Sequence, residues 1–511
     1  MKKNEDAQEY DVQPEDAVQF VRSAILGSRS GPVPPGYRNL PREQRARFHA
    51  VPSRFNCMVP LKTGQVLACN TFYGSFAKWN TDDLDFYNRL SKDTIPLDDP
   101  AALEFLTGGF AVSSGDDEIR HLEKYYRSVR FNPGVMNLTL VPTLNCNFAC
   151  DYCFQGQGKP KGMIEPEVVE AVIRHLEESA PALKRLQVCW YGGEPTLAAG
   201  SMIEPLSDRL MELCKDKKIA YNAFMVTNGF LYTKDMAARL LKKRVNTVQV
   251  TLDGPPEYHD SRRCLLAGGP TYEKIVANLI EIVNTLPVTI MIRVNIDERN
   301  KDYIRALADD LAARGLGRKS KFRLYFAPVR ASTEGCHSCS EITMLNAAYG
   351  RLEAELYRYT IEKGLSSLPQ PPLLLGNCQA VRPRGMIVLP NGDLHKCWDT
   401  VGSRALRTGT IFGLDAFYKG DSHQKWMQWT PFKDDTCKDC NILPSCVGFC
   451  AYKHLFSDLT RGEAATVPCP SWKFNINERL FLRAQKKGVV NQDLWDETLS
   501  PTVKAKIYEK N

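Results

Sequence analysis

Leu138-Thr139-Leu140-Val141-Pro142-Thr143-Leu144-Asn145-Cys146-Asn147-Phe148-Ala149-Cys150-Asp151-Tyr152-Cys153 is the stretch from which the rest of the chain is read. An apolar, partly β-branched run ending at Pro142 reads as a strand. The three cysteines, in C-x3-C-x2-C spacing, fall on the loop after it. Thiolates gathered this closely select zinc or an iron–sulfur cluster. A closed four-iron cluster takes four cysteines. Here there are three, and the next cysteine, Cys189, lies beyond a predicted helix and strand. Three ligands leave one iron open, and an open position marks a catalytic centre, by the logic established for zinc. The competing reading is a zinc knuckle with a distant fourth ligand.

Outward from this stretch, strands and helices alternate to Val329. The predicted strands are Asn137–Pro142, Arg185–Tyr191, Ala220–Thr227, Thr247–Leu252, Val288–Asn295 and Lys321–Phe326. The predicted helices are Glu165–Glu178, Ile203–Lys215, Lys234–Lys243, Tyr272–Thr285 and Asp302–Arg314. This is an α/β pattern, and about six βα units imply a partial (β/α)6 barrel of TIM type. In such sheets ligands bind at the carboxyl ends of the strands, where the triplet lies. The second strand ends in Trp190-Tyr191-Gly192-Gly193-Glu194-Pro195; the glycines let backbone approach a ligand, and Glu194 can pair with a cation. The third strand runs into Thr227-Asn228-Gly229. The fourth gives Thr251-Leu252-Asp253-Gly254-Pro255, then His259-Asp260 and Arg262-Arg263. Arg293 and Asn295 end the fifth, as further candidate cofactor contacts.

Past a helix near Ile342–Lys363 and a Pro-rich break come Cys378, Gly392-x4-Cys397, Cys437-x2-Cys440-x5-Cys446-x3-Cys450 and Cys469. Zinc ribbons use pairs of this kind. A separate C-x2-C pair, Cys336 and Cys339, follows the sixth strand.

Taken together, the triplet, the Gly-Gly-Glu-Pro motif, the Thr251 block and the seven-cysteine tail resemble the radical S-adenosylmethionine (SAM) enzymes with a C-terminal SPASM domain. That resemblance implies three [4Fe–4S] clusters and SAM. Cys146, Cys150 and Cys153 would hold the cluster that cleaves SAM to a 5′-deoxyadenosyl radical. Gly192, Gly193 and Glu194 would hold the methionine amino group, with a polar contact from Asn228. Thr251, where the family has Ser, would contact the SAM sugar, and Arg263 its carboxylate, which suits a two-bond fork. Cys437, Cys440, Cys446 and Cys469 would hold the outer auxiliary cluster; Cys378, Cys397 and Cys450 would hold the inner one. The inner cluster is then one ligand short, either open to a substrate thiolate or closed by Cys336 or Cys339. Asp399, one residue later than the catalytic Asp of some relatives, is a candidate proton acceptor. His259 reads as a local structural partner.

Before the triplet, Phe55–Leu61, Val66–Phe72 and Ser75–Trp79 read as strands, followed by helices from Thr81, Asp98 and Asp116. This order is similar to the winged-helix leader-binding units fused to enzymes that modify ribosomal peptides, which take a peptide by strand addition. The other reading is a packing extension. The expected organisation is a leader and linker (1–53), a winged-helix-like α+β peptide-recognition unit (54–132), the partial barrel (133–335), a bridging helical region (336–375), the cysteine-rich iron–sulfur SPASM domain (376–470) and a closing helix with tail (471–511).

Composition bounds the rest. With 43% hydrophobic and 24% charged residues the chain is globular in type. The net charge of +7 is scattered and no nucleic-acid motif accompanies it, so no nucleic-acid partner is expected. No run reaches the roughly 18 apolar residues of a membrane helix. Seventeen cysteines without a secretory signal imply metal ligation in the cytoplasm. The expected function is radical modification of a ribosomally made precursor peptide bound through its leader: a thioether or carbon–carbon cross-link, epimerisation or excision. A flavodoxin- or ferredoxin-type protein would supply electrons. The alternatives are a sulfatase-maturase-like, formylglycine-generating enzyme and a non-catalytic electron carrier or zinc scaffold.

Overall fold

The turn Lys62–Gln65, where Gly64 adopts positive φ, closes the hairpin expected at the N-terminal side. The computed structural model describes residues 37–45, 47–156, 162–366, 378–463 and 467–496. The readings of a helix at Pro14–Ala17, a linker at Gly27–Gly36, the break before Cys378 and the tail beyond residue 496 lie outside the described residues. The strands are β1 (His49–Pro52), β2 (Asn56–Pro60), β3 (Val66–Asn70), β4 (Phe76–Trp79), β5 (Ile95–Pro96) and β6 (Ala111–Ser113). They form two three-stranded sheets, β2-β3-β4 and β5-β1-β6. The second sheet has no counterpart in the sequence reading, because strands of two to four residues are too short to show a period. Helices follow at Thr81–Leu90, under a capping box of Asn80 and Asp83, at Pro100–Gly108, capped by Asp99, and at Glu118–Arg130.

The alternating segment folds as six parallel strands in chain order: β7 (Val135–Leu140), β8 (Arg185–Trp190), β9 (Ala220–Thr227), β10 (Val245–Thr251), β11 (Thr289–Ile296) and β12 (Phe322–Pro328). The expected barrel helices are present as Pro166–Ser179, Glu204–Asp216, Lys234–Lys242, Tyr272–Thr285 and Ile304–Ala313. Each covers the sheet with an apolar stripe. On the first, Val168, Val172 and Leu176, four apart, are completely buried with Met136, Leu138, Leu186 and Val188. Burial of such side chains contributes roughly 1.5–3 kcal/mol apiece. No helix of the described residues is long and apolar enough to cross a membrane.

The cysteine-rich region does not stand apart from this sheet. Its strands β13 (Gly385–Val388), β14 (Asp393–His395) and β15 (Gly409–Thr410) extend it, with β13 parallel to β7 in the register Ile387↔Thr139. The result is a nine-stranded mixed sheet consistent with a partial barrel. Within the closing helical segment, Ser471–Lys473 is a 3₁₀ turn and the α-helix runs Ile476–Lys486.

The N-terminal unit is bolted to the cysteine-rich region. Cys57, Val59, Leu67 and Cys69 share a core with Trp472, Leu480 and Phe481. Phe55, Phe72 and Tyr126 share another with Phe432, Leu443 and Val447. Cys57 and Cys69, read as small core residues, are both buried there. Arg130, fully buried, donates to the carbonyls of Val381, Trp426, Met427 and Trp429 at 2.6–3.0 Å.

Candidate functional site

The triplet loop is held by main-chain bonds on both sides. Gly193 N donates to Thr143 O at 3.1 Å and Glu194 N to Asn145 O at 2.8 Å. Ala149 N donates to Cys264 O, Leu266 N to Asn147 O and Asp151 N to Arg262 O. The Gly-Gly-Glu-Pro turn and the Arg262–Leu266 segment thus clamp the loop between them. The glycines are needed for this approach: Gly192 has φ +153°, and a Cβ on either residue would overlap the carbonyl oxygens of Thr143 or Asn145.

A cavity of about 720 Å³ opens above this loop at the carboxyl ends of the strands. Cys146, Cys150, Cys153, Gly192, Gly193, Asn228, Thr251, Arg263 and Asp399 all line it, as do Arg293 and Asn295. Glu194 does not line it. Its carboxylate is wholly buried and accepts from Thr196 N, the hydroxyls of Thr196 and Thr227, and Asn228 N, at 2.5–3.0 Å. Burial raises its pKa against those hydrogen bonds. In this arrangement Glu194 positions Asn228, whose amide in turn donates to Asn147 of the triplet loop at 2.8 Å.

The polar centre of the wall is Tyr152, a residue the motif reading left unassigned between the second and third cysteines. Its hydroxyl donates to Asp253 and accepts from Arg263 at 2.6 Å and Asn295 at 3.2 Å. Arg263 Nε is buried without a partner among the described residues, although buried donors are ordinarily paired with protein, water or ligand. Burial lifts the Cys150 thiol to about 11 against the pull of Arg263, while Cys153 and Cys146 push the same way as burial. His259 is structural: Nδ1 accepts from Asp253 N, and burial, then Arg263 and Arg262, hold its pKa far below the usual range. Tyr191 packs on Trp398 with ring centroids 3.8 Å apart. This brings Asp399 to the cavity, and burial lifts its carboxyl to about 6 against Lys453 and Arg293.

The remaining cysteines gather in two sets. Cys469, Cys440 and Cys437 all act electrostatically on Cys446, and Cys450 and Cys378 act on Cys397. The Cys336 thiol donates to Arg330 O at 3.1 Å. Among the described residues, no three His, Cys, Asp or Glu side chains converge tightly enough for a single metal ion. Cys189 and Cys214 are buried in the barrel.

Residues 140–311 match the radical SAM superfamily model. The chain is 32% identical over 141 residues to the cysteine-type anaerobic sulfatase-maturating enzyme of Clostridium perfringens, covering 25% of this chain and 36% of that protein. It is 25% identical over 341 residues to the mycofactocin maturase MftC of Mycolicibacterium smegmatis, covering 63% and 79%. The chain thus spans only 33–36% of the length of the first curated relatives it matches. Among solved structures, native anSMEcpe with bound AdoMet and Cp18Cys peptide superposes with a TM-score of 0.54 at 19% identity, covering 69% of this chain and all of that one. Residues 140–311, which carry the thiol triplet, the glycine turn and Arg263, are therefore similar to a radical SAM domain.

Proposed function

We propose that this enzyme modifies a peptide by radical chemistry, with SAM and a [4Fe–4S] cluster at the cavity and two auxiliary clusters in the cysteine-rich region. The observation that carries the reading is the convergence of the triplet thiols, Gly192–Gly193, Thr251 and Arg263 on one cavity. Three thiols on one loop fit a cluster with one open iron, and Arg263 Nε, without a partner among the described residues, fits a bound carboxylate. When bound, the cluster and SAM supply a 5′-deoxyadenosyl radical. The chain's own part is positional. Tyr152 and Asp253 hold Arg263, Thr251 offers a hydroxyl to the sugar, and Tyr191 with Trp398 closes one wall. Asp399, facing the same space, would take a proton from the substrate.

We assign Cys437, Cys440, Cys446 and Cys469 to the outer auxiliary cluster and Cys378, Cys397 and Cys450 to the inner one, with its fourth position left for substrate. The substrate we favour is a ribosomal precursor peptide. MftC, by name a maturase, aligns with 63% of the chain, and β4 ends its sheet without a strand partner among the described residues, so a leader strand has an edge to pair with. Formylglycine formation is the second reading, favoured by the match to the sulfatase-maturating enzyme. An external flavodoxin- or ferredoxin-type donor would reduce the clusters.

Anaerobic reconstitution tests the core of this. The wild type should hold about twelve irons, from three four-iron clusters, and release 5′-deoxyadenosine from SAM with dithionite. The Cys146/Cys150/Cys153→Ala variant should lose one cluster and all cleavage. Bound zinc, or clusters without cleavage, would replace this reading with an electron carrier or scaffold.

A further inference from the structure

The cavity wall carries three arginines, Arg263, Arg293 and Arg330, against a single acid, Asp399. Arg263 has a counterion: Asp253 lies 3.9 Å away, and Cys150 is beside it. Arg293 and Arg330 make no ion pair with a carboxylate among the described residues. Arg293 gives its Nε to Asn295 Oδ1 at 2.8 Å. Arg330, two residues beyond the end of β12, gives one amino group to Asn346 Oδ1. The acids nearest Arg330 are committed elsewhere: Glu353 pairs with Arg479 at 2.7 Å, and Glu463 accepts from Asn346 N. Burial lowers the pKa of Arg330 against the partial offsets of Glu463, Tyr349, Glu353 and Cys450. Lys453, also buried, adds a further cation near Asp399. The side of the cavity built by β11 and β12 thus carries more cations than acids.

We propose that Arg330, with Arg293, is a carboxylate-binding subsite for the substrate. A guanidinium offers a planar fork of donors that matches a carboxylate bidentately. Buried guanidinium groups without a counterion are costly, and that cost is recovered when an anion arrives. The inference rests on the reading that SAM occupies the cavity. SAM has one carboxylate, and Arg263 beside the triplet is placed for it. The second anion therefore belongs to the peptide, as its C-terminal carboxylate or as an Asp or Glu side chain. Arg330 would then set which residue is presented to the radical.

The test uses the full reconstituted chain saturated with SAM, without reductant, in titration calorimetry. The probes are N-acetylglycine for a C-terminus, N-acetylglutamate α-amide for an acidic side chain, and neutral N-acetylglycinamide. At least one acid should bind and the neutral probe should not; which acid binds more tightly distinguishes the two sources. Arg330→Gln should weaken acid binding at least tenfold and Arg330→Lys less, with SAM affinity unchanged within twofold in both. Equal binding of acid and neutral probes, no binding of either acid, or no effect of Arg330→Gln would overturn the subsite. So would a matching loss of SAM affinity, which would assign Arg330 to the cofactor. Carboxylate binding in a protein that never cleaves SAM would instead sink the functional reading and leave the anion site standing.

Discussion

The main-chain nitrogen of Glu194 donates to the carbonyl of Asn145 at 2.8 Å, one residue before the first cysteine of the triplet. That bond draws Gly193 so close to the same carbonyl that a Cβ there would overlap it. The clash is with the backbone of Leu144 and Asn145, so a side chain cannot rotate away from it. Gly193→Ala should displace the triplet loop, lower 5′-deoxyadenosine formation at least tenfold and reduce iron by one cluster, with circular dichroism little changed. Full activity in this variant would mean that the loop yields freely.

Glu194→Gln tests whether the carboxylate is structural. It takes four donors, and an amide must turn its own NH2 toward one of them. A buried donor left unpaired costs about 1–3 kcal/mol. Urea unfolding should show that loss, and SAM should bind more weakly because Asn228 is no longer held. A variant as stable as the wild type would remove this role.

Arg130→Met should loosen the cysteine-rich region. Four carbonyls would lose a charged donor, each such bond being worth about 1.5–3 kcal/mol. Iron counts should fall with cleavage of SAM retained, since the triplet is on a different loop. Unchanged iron and an unchanged melting curve would show the clamp to be dispensable.

The double variant Cys336→Ala/Cys339→Ala should keep all its iron. The Cys336 thiol donates to Arg330 O, and the cysteines that raise the Cys397 thiol, after burial and Asp399, are Cys450 and Cys378. Loss of four irons per chain would make the pair ligands and close the inner cluster.

Acid should destabilise the protein partly through His175. It is buried under Tyr418, and burial, with Arg384, holds its pKa down to about 4. A depressed histidine contributes stability above its unfolded pKa of about 6.5, and that contribution is lost as pH falls toward about 4. Between about pH 7.5 and about pH 5 the loss is roughly 2 kcal/mol. His175→Gln should flatten that slope in unfolding titrations. An unchanged slope would place the acid sensitivity in other groups.

The alternation of strands and helices, the strand ends and the cysteine spacings were legible in the sequence, because periodicity and loop spacing are local properties of the chain. The Gly-Gly-Glu-Pro turn was legible as a turn closing a strand, but what the glycines face was not: the approach to Asn145 exists only once β7 and β8 pair. Tyr152 reads as one more aromatic residue between cysteines until Asp253, Arg263 and Asn295, from two other strand ends, meet its hydroxyl. Arg130 looks like any basic residue in a last helical turn, and Arg330 like any arginine after a strand. Their roles depend on which backbone carbonyls and which missing counterions surround them. The sequence by itself determined the order of strands and helices and the spacing of the cysteines. The tertiary structure alone decided that β13 joins β7, that the N-terminal unit is buried against the cysteine-rich region, and that one cavity is left with more cations than acids. Burial and hydrogen bonding between segments far apart in the chain depend on packing, which no local spacing records.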